Sequence, residues 1–447
     1  MEKTDNRYKK MINTPIPKLI LGLAAPTVIS MLVTNIYNMA DTFFVSRIST
    51  SASGAIGITA TLSLIIQAIG LTFGHGAGSV ISRALGGQNT ERADRLTSTA
   101  FFVSLIIGVI VSILGLIFIN PIMRLLGSTK TVLPYARAYG IYILIAAPFI
   151  MSGFVLNNIM RYEGKARLAM VGLTSGAILN TVLDPIFIYV FKMGVHGAGL
   201  STALSQAISF FILLYMFVSG KTGCKISFKL IDKYELPLIF KNGIPTLARQ
   251  GMNCVSSTLL NRGAALYGDA ALSAVSIVNQ IILFIVAIII GIGQGYQPVA
   301  GYNYGAGRKD RLKSGFIFTF LLGEVVLVLL STVFFFGAEG IVSAFRSDSE
   351  VIKTGVLMLR LQCISLIVQP FCTCANMMFQ SIGETSRATF LAVSRNGLFL
   401  IPSLLILSRL FGLFGILSAQ PVADVVSFLA AVPLVITFFL KDKKRVE

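Results

Sequence analysis

Residues 74–86 read GHGAGSVISRALG, and residues 293–305 read GQGYQPVAGYNYG. Placed over one another at an offset of 219 residues, the two stretches share Gly74 with Gly293, Gly76 with Gly295, Val80 with Val299 and Gly86 with Gly305. Working outward without a gap, the same offset pairs Pro26 with Pro245, Ala52 with Ala271, Ala55 with Ala274, Ile58 with Ile277 and Arg92 with Arg311. It still holds at Asn157 with Asn376 and at Gly164 with Gly383. Apolar low complexity produces chance Ala and Ile matches, but not Gly, Pro, Arg and Asn matches at one constant offset. The chain is therefore read as two related halves. A glycine-rich stretch of this kind also occurs in dinucleotide-binding loops. Here no strand precedes it and no ribose-binding acid follows at the right distance, which excludes that reading. Close helix packing near a helix end is the reading that remains, with His75 as a structural residue beside it.

Composition fixes the solvent of these halves. The 447 residues are 55% apolar and only 13% charged, against about 25% charged in soluble domains. Apolar runs of about 20 residues, long enough to span a bilayer core, recur along the whole chain. No run alternates with period two, which argues against an outer-membrane barrel. Twelve segments are predicted, centred near residues 32, 68, 107, 146, 179, 207, 249, 285, 325, 366, 399 and 427. The first apolar segment is longer than a signal-peptide core and is read as a retained helix. The fold class is thus an all-α polytopic membrane protein with six helices per half, and an even number per half gives both halves the same orientation. The predicted boundaries are a tail at 1–14, lobes at 15–218 and 237–440, a basic linker at 219–236 and a tail at 441–447.

Charge sets the orientation. Placing both termini in the cytoplasm puts there the loops with Arg83, Arg92 and Arg95, with Arg161, Lys165 and Arg167, with Lys221 to Lys241, and with Arg308 to Lys313. Most of the 37 Lys and Arg residues then lie inside, as the positive-inside rule requires. The same dispersal explains the net charge of +18 without nucleic acid. Cys372 and Cys374 form a C-x-C, but two residues on a helix point about 200° apart. With no His or acid beside them they read as small apolar filler rather than a metal site.

Function is carried by polar residues inside apolar segments, where they are costly and mark pathways. In the first segment, NIYNMADTFFV (35–45), Thr34, Tyr37, Asn38 and Asp41 recur at i, i+3, i+4 and i+7 and share one helical face. In the fifth, LNTVLDPIFIYV (179–190), Asn180 and Asp184 are one turn apart, with Pro185 next. Thr202, Gln206 and Ser209 stripe the sixth, and Asn157 and Asn158 lie late in the fourth. Two carboxylates in one low-dielectric cavity cannot both stay ionised and alone; one binds a proton, or a cation sits between them. That is the chemistry of an ion-coupling site. The second half lacks these acids, since Asp41 maps onto Leu260 and Asp184 onto Ser403. It offers Arg249, Glu324, Arg360, Arg395 and Asp424 instead, and an ion pair of Arg249 with Asp424 or Glu324 is one arrangement the segments permit. No nucleophile, His-rich or paired-Cys set suggests an enzyme, and no filter-like motif suggests a channel.

These residues resemble the multidrug and toxic-compound extrusion (MATE) transporters over residues 15–440. The resemblance rests on P-x-x-x-S from Pro26, NIYNMADTFFVSR, the two glycine-rich stretches, LNTVLDPIFI and QSIGETSR (380–387). It implies two six-helix lobes in a V and exchange of organic, often cationic, amphipaths for H⁺ or Na⁺, by a monomer that needs no cofactor beyond that ion. In the prokaryotic branch that this sequence most resembles, the coupling carboxylates match Asp41 and Asp184, with Asn180 and Thr202 as neighbours. A coupling Na⁺ would then lie at Asp41, Asn180, Asp184 and Thr202. Tyr37 and Asn157 match positions lining that lobe's pocket. Thr34, Asn38, Gln206 and Arg249 complete the expected substrate surface, and Pro26 is the expected hinge. Other family members carry a coupling acid on the seventh or tenth helix, where this chain has Arg249 and Asn376. The alternative from the wider superfamily is a flippase for lipid-linked precursors, which would be expected to hold pyrophosphate with several cationic residues.

Overall fold

The computed structural model describes residues 2–443, without the side chains of residues 2–6, 46, 50 and 441–443. Residues 444–447, the end of the expected C-terminal tail, lie outside the described residues. Among the described residues every regular element is a helix. A short amphipathic helix α1 (Glu2–Asn13) precedes the first-half spans α2 (Ile16–Ser46), α3 (Thr50–Gly86), α4 (Thr90–Ile117), α6 (Leu133–Tyr162), α7 (Ala166–Pro185) and α8 (Val195–Val218). The helix α5 (Ile119–Leu125) is a connector, and α7 runs on as a π-turn, Ile186–Val190. The second half repeats the order with α9 (Leu236–Ala265), α10 (Asp269–Gly305), α11 (Lys309–Phe336), the connector α12 (Ala338–Ser343), α13 (Ser349–Leu366) and α14 (Gln369–Ile382). It ends with α15 (Thr385–Val393), a π-turn at Ser394–Phe399, and α16 (Leu400–Lys443).

Nine of these helices are long and apolar enough to cross a membrane, or ten when α13 and α14 count as one span bent by 53°. Pro370 at the start of α14 has no N–H to continue α13, which accounts for that break. Two further spans are masked for physical reasons. The apolar stretch Thr385–Leu440 is interrupted at Gly412, whose φ of 57° and ψ of −131° are not helical, so it folds as two. Helix α9 matches its neighbours in length, but Lys241, Asn242, Arg249 and Asn253 lower its hydropathy. The architecture is consistent with the twelve helices expected.

Helix ends follow local chemistry. Ser49 and Asn89 cap α3 and α4 by accepting hydrogen bonds from the N–H groups of Ala52 and Arg92 at 3.1 and 2.9 Å. Helices α6 and α14 end in left-handed glycines at equivalent positions, Gly164 at φ 82° and Gly383 at φ 87°. Seven residues after the shared Asn157 and Asn376, these turns also fix the repeat's second signature. The Asn157 side-chain N–H donates to the Ala169 carbonyl at 2.8 Å, and that of Asn376 to the Ala388 carbonyl at 2.6 Å, with both partners 219 residues apart.

The chain forms two compact units, Met1–Asn13 with Ala25–Gly243, and Thr14–Ala24 with Ile244–Glu447. The first span of each half therefore begins in one unit and continues in the other, changing over beside Pro26 in α2 and beside Pro245 in α9. The glycine-rich stretches pack where these first turns lie. A Cβ on Gly76 would collide with the Ile239 carbonyl at the start of α9, and one on Gly295 would lie 2.5 Å from the Ala24 backbone in α2. Glycine serves close helix packing there, as the sequence indicates. Helix α6 is the most enclosed of the apolar helices and forms the centre of the first unit against α3, α4 and α8.

Candidate functional site

Three helices of the first unit bring polar side chains into contact. Asp41 comes from α2, fifteen residues beyond Pro26. Asn180 and Asp184 come from α7 at i and i+4, and Ser201 and Thr202 from the second turn of α8. The link is Tyr139 on α6. Its hydroxyl donates to Asp41 Oδ2 at 2.9 Å and lies 3.0 Å from Thr202 Oγ1. From there Asn180 Nδ2 reaches Thr202 Oγ1 at 3.3 Å, Ser201 Oγ at 3.2 Å and Asp184 Oδ1 at 3.4 Å. One continuous chain of hydrogen bonds therefore joins the two carboxylates. Above it, Tyr189 of the π-turn donates to the Phe44 carbonyl at 2.9 Å, which ties the end of α2 to the end of α7.

The acceptor balance of this network is incomplete. Asp41 Oδ1, Asn180 Oδ1 and Asp184 Oδ2 are buried and have no donor. Unsatisfied buried carboxylate oxygens are costly unless a proton or a cation meets them. The two acids lie within electrostatic reach of one another. Among the described residues no Lys, Arg or His pairs with either. Two carboxylates and an amide oxygen form a hard, oxygen-only donor set, suited to H⁺ or to an alkali cation and unsuited to a soft transition metal. Among the described residues no group of three or more His, Cys, Asp or Glu side chains could hold a metal ion.

The expected substrate residues divide. Tyr37 and Gln206 adjoin the network, with the Tyr37 hydroxyl in hydrogen-bonding reach of Gln206 and close to both carboxylates. Thr34 bonds back to the Ser30 carbonyl of its own helix at 2.8 Å, and Asn38 is exposed on α2. The structure does not bring Asn157 into the network, because its amide is engaged by the Ala169 carbonyl. Arg249 belongs to the second unit, where it donates to Asn376 Oδ1 at 3.2 Å. Asp424 takes Arg395 as its ion-pair partner, at 2.6 Å, rather than Arg249. Sequence reasoning missed Tyr139 and Ser201. Tyr139 lies in the apolar stretch AYGIYILIAA, among residues that look like ordinary aromatic filling. The signal available was its place on the fourth segment, whose other polar members had already been singled out.

The MatE family profile matches residues 26–186 and 245–406, which cover most of the chain. The chain belongs to the MatE family. Its two matched segments start 219 residues apart (26 and 245), the offset of the internal repeat. The multidrug export protein MepA of Staphylococcus aureus strain NCTC 8325 is 29% identical over 440 residues, covering 97% of this chain and 96% of that protein. MepA of Staphylococcus saprophyticus is 28% identical over 433 residues, with coverage of 96% and 95%. An outward-facing structure of a multidrug resistance MATE family transporter of the MOP superfamily superposes with a TM-score of 0.93 at 25% identity, over 97% of this chain and 98% of that one. A MOP superfamily transporter from Pyrococcus furiosus superposes with a TM-score of 0.88 at 26% identity, over 95% and 97%. This MatE-family chain is a multi-pass membrane transporter.

Proposed function

We propose that this MatE-family protein is a secondary antiporter of the cytoplasmic membrane, exporting organic, often cationic, drugs or metabolites in exchange for H⁺ or Na⁺, with both termini in the cytoplasm. Relatives of nearly the same length that are named multidrug export proteins support the export reading. The observation that carries the coupling site is the network itself. It joins Asp41 and Asp184 through Tyr139, Thr202 and Asn180, and leaves Asp41 Oδ1, Asn180 Oδ1 and Asp184 Oδ2 without donors. With no ion bound, the pair carries negative charge that attracts a cationic substrate to Tyr37, Gln206 and the exposed face of Asn38. Binding H⁺ or Na⁺ removes that charge and favours a different packing of α2, so that ion and substrate exclude one another. An ion shifts such an equilibrium only by its difference in affinity for the two states, so removal of its ligands uncouples transport.

The test is efflux of a fluorescent organic cation from proteoliposomes under an imposed H⁺ or Na⁺ gradient. Asp41→Asn and Asp184→Asn each keep wild-type abundance and lose gradient-driven efflux. Near wild-type pumping by both, with unchanged ion dependence, would refute the assignment. The same vesicles address the flippase alternative, since a lipid-linked pyrophosphate that moves without any ion gradient would take its place.

A further inference from the structure

The register relating the two halves changes by one residue before the last helix of each. Gly194 (φ 57°, ψ −132°) opens α8, and Gly412 (φ 57°, ψ −131°) breaks α16 in the same conformation. Counted from these two glycines, Gly197 matches Gly415, Ser209 matches Ser427 and Phe210 matches Phe428. Thr202 then corresponds to Gln420, and Gln206 to Asp424. The constant offset of 219 conceals this, because it places Asp424 opposite Ser205. Asp424 thus occupies, in the second half, a position that borders the carboxylate network in the first.

Its surroundings are the reverse of that network. In the first unit two acids share neutral donors and keep open oxygens. Asp424 is a single buried acid with both oxygens filled. Arg395 Nε lies 2.6 Å from Oδ1 and Nη2 lies 3.4 Å from Oδ2. Gln420 Nε2 donates to Oδ1 at 2.9 Å and Ser365 Oγ to Oδ2 at 3.2 Å. Arg395 is carried on the π-turn Ser394–Phe399, whose extra residue per turn re-aims side chains relative to an α-helix. Of the helices packed against α16, α13 faces the pair with Ser365, and α14 faces it with Cys372, the other titratable group there. The residues matched to Asp41 and Asp184 are Leu260 and Ser403, so no second acid answers Asp424.

We infer that Arg395 is a tethered cation: its guanidinium holds on Asp424 the place that H⁺ or Na⁺ takes on the carboxylates of the first half, and so keeps the second half from binding a coupling ion. A guanidinium does not release its proton under physiological conditions, and a side chain cannot be exchanged across the membrane. The Asp424 site therefore keeps constant charge, and the ion gradient acts on the carboxylates of the first half. The functional meaning rests on Asp41 and Asp184 being the coupling pair; the ion-binding prediction at Asp424 does not.

The experiment counts cations bound by the purified full-length protein, as proton uptake read with an indicator dye and as ²²Na⁺ in equilibrium dialysis. Arg395→Gln gains one H⁺ or one Na⁺ per molecule over its parent, Arg395→Lys gains none, and Arg395→Gln with Asp424→Asn returns to the parent count. The same gain is expected in the Asp41→Asn/Asp184→Asn background. A failure of the coupling reading, seen as no loss of cations in that background, is therefore distinct from a failure here. Folded, monodisperse Arg395→Gln with an unchanged count overturns the inference, as does a gain that survives Asp424→Asn. Where the single variant does not fold, the charge-neutral double variant decides: wild-type binding supports the inference, and loss of a cation overturns it.

Discussion

Removing the Tyr139 hydroxyl tests the network at the one link that the sequence did not reveal. Tyr139→Phe keeps the ring and its packing in α6 and deletes only the donor 2.9 Å from Asp41 Oδ2 and the contact 3.0 Å from Thr202 Oγ1. A hydrogen bond to an ionised carboxylate contributes about 1.5–3 kcal/mol, and one to a neutral group about 0.5–1.5 kcal/mol. The hydroxyl therefore favours the ionised carboxylate over the protonated one by the difference, on the order of 1–1.5 kcal/mol. At about 1.4 kcal/mol per factor of ten, its loss tightens proton retention roughly five- to tenfold. The assay is the ion concentration giving half-maximal efflux in proteoliposomes, measured beside the maximal rate. Tyr139→Phe is expected to lower the half-saturating concentration by that factor, and to lower the maximal rate because release becomes slower. Half-saturation and rate both equal to wild type would show that Asp41 does not bind the ion through this network.

Other expectations follow from the same contacts. Asn157→Ala and Asn376→Ala each remove the side-chain donor that ties one helix to a buried carbonyl of the next, at Ala169 or Ala388. Each should lower thermal stability by about 1–3 kcal/mol while leaving ion dependence unchanged. Gly76→Ala drives a methyl group into the Ile239 carbonyl and should cost about 1–3 kcal/mol of stability, read as reduced folded yield and melting temperature. The Cys224 thiol, in the segment between α8 and α9, is pushed well above its usual range by burial and by the Glu163 carboxylate. With almost no thiolate below that raised value, it should resist maleimide in the folded protein at neutral pH and react on denaturation. For topology, single cysteines at Asn89, Lys229 and Lys309 in a Cys-free background should be protected from an impermeant external reagent, whereas those at Ser128 and Ser349 should react.

Much of the fold was legible because membrane insertion leaves large signals. Twelve apolar segments appear in composition alone, and the repeat appears in a handful of Gly, Pro and Asn positions that packing cannot relax. Asp41 and Asp184 stood out because a carboxylate in an apolar run has few structural excuses. Tyr139 did not, since a tyrosine ring is at home in apolar surroundings and only its hydroxyl belongs to the network. The partner of Asp424 was missed for a different reason. Arg395 reaches it from a π-turn, and helical periodicity at 3.6 residues cannot place a side chain through a turn with an extra residue. Asn157 shows the converse. Its polarity was legible, but the hydrogen bond to Ala169 that engages it joins two helices and leaves no trace in either segment alone.

Under the proposed function, Pro26 would connect the carboxylate network to movement. Proline has no N–H to donate, so the Gly22 carbonyl lacks its helical partner, and a glycine there leaves open space within 4 Å. The change from one compact unit to the other falls one residue earlier, between Ala24 and Ala25. Helix α2 thus lacks one backbone hydrogen bond close to the point where the chain changes from one unit to the other. Asp41 lies fifteen residues beyond, about 22 Å along the axis at 1.5 Å per residue. A bend of roughly 10° at Pro26 would displace Asp41 by about 4 Å, more than the length of any hydrogen bond in the network. Making or breaking the bond to Tyr139 and the tie from Tyr189 to Phe44 would therefore bias any bend of α2 at Pro26. Under the proposed coupling, an ion bound between Asp41 and Asp184 would act on that angle with a lever of about four helical turns. Pro245 marks the equivalent changeover in α9, but the position matching Asp41 there is Leu260, so α9 has the proline without the charge.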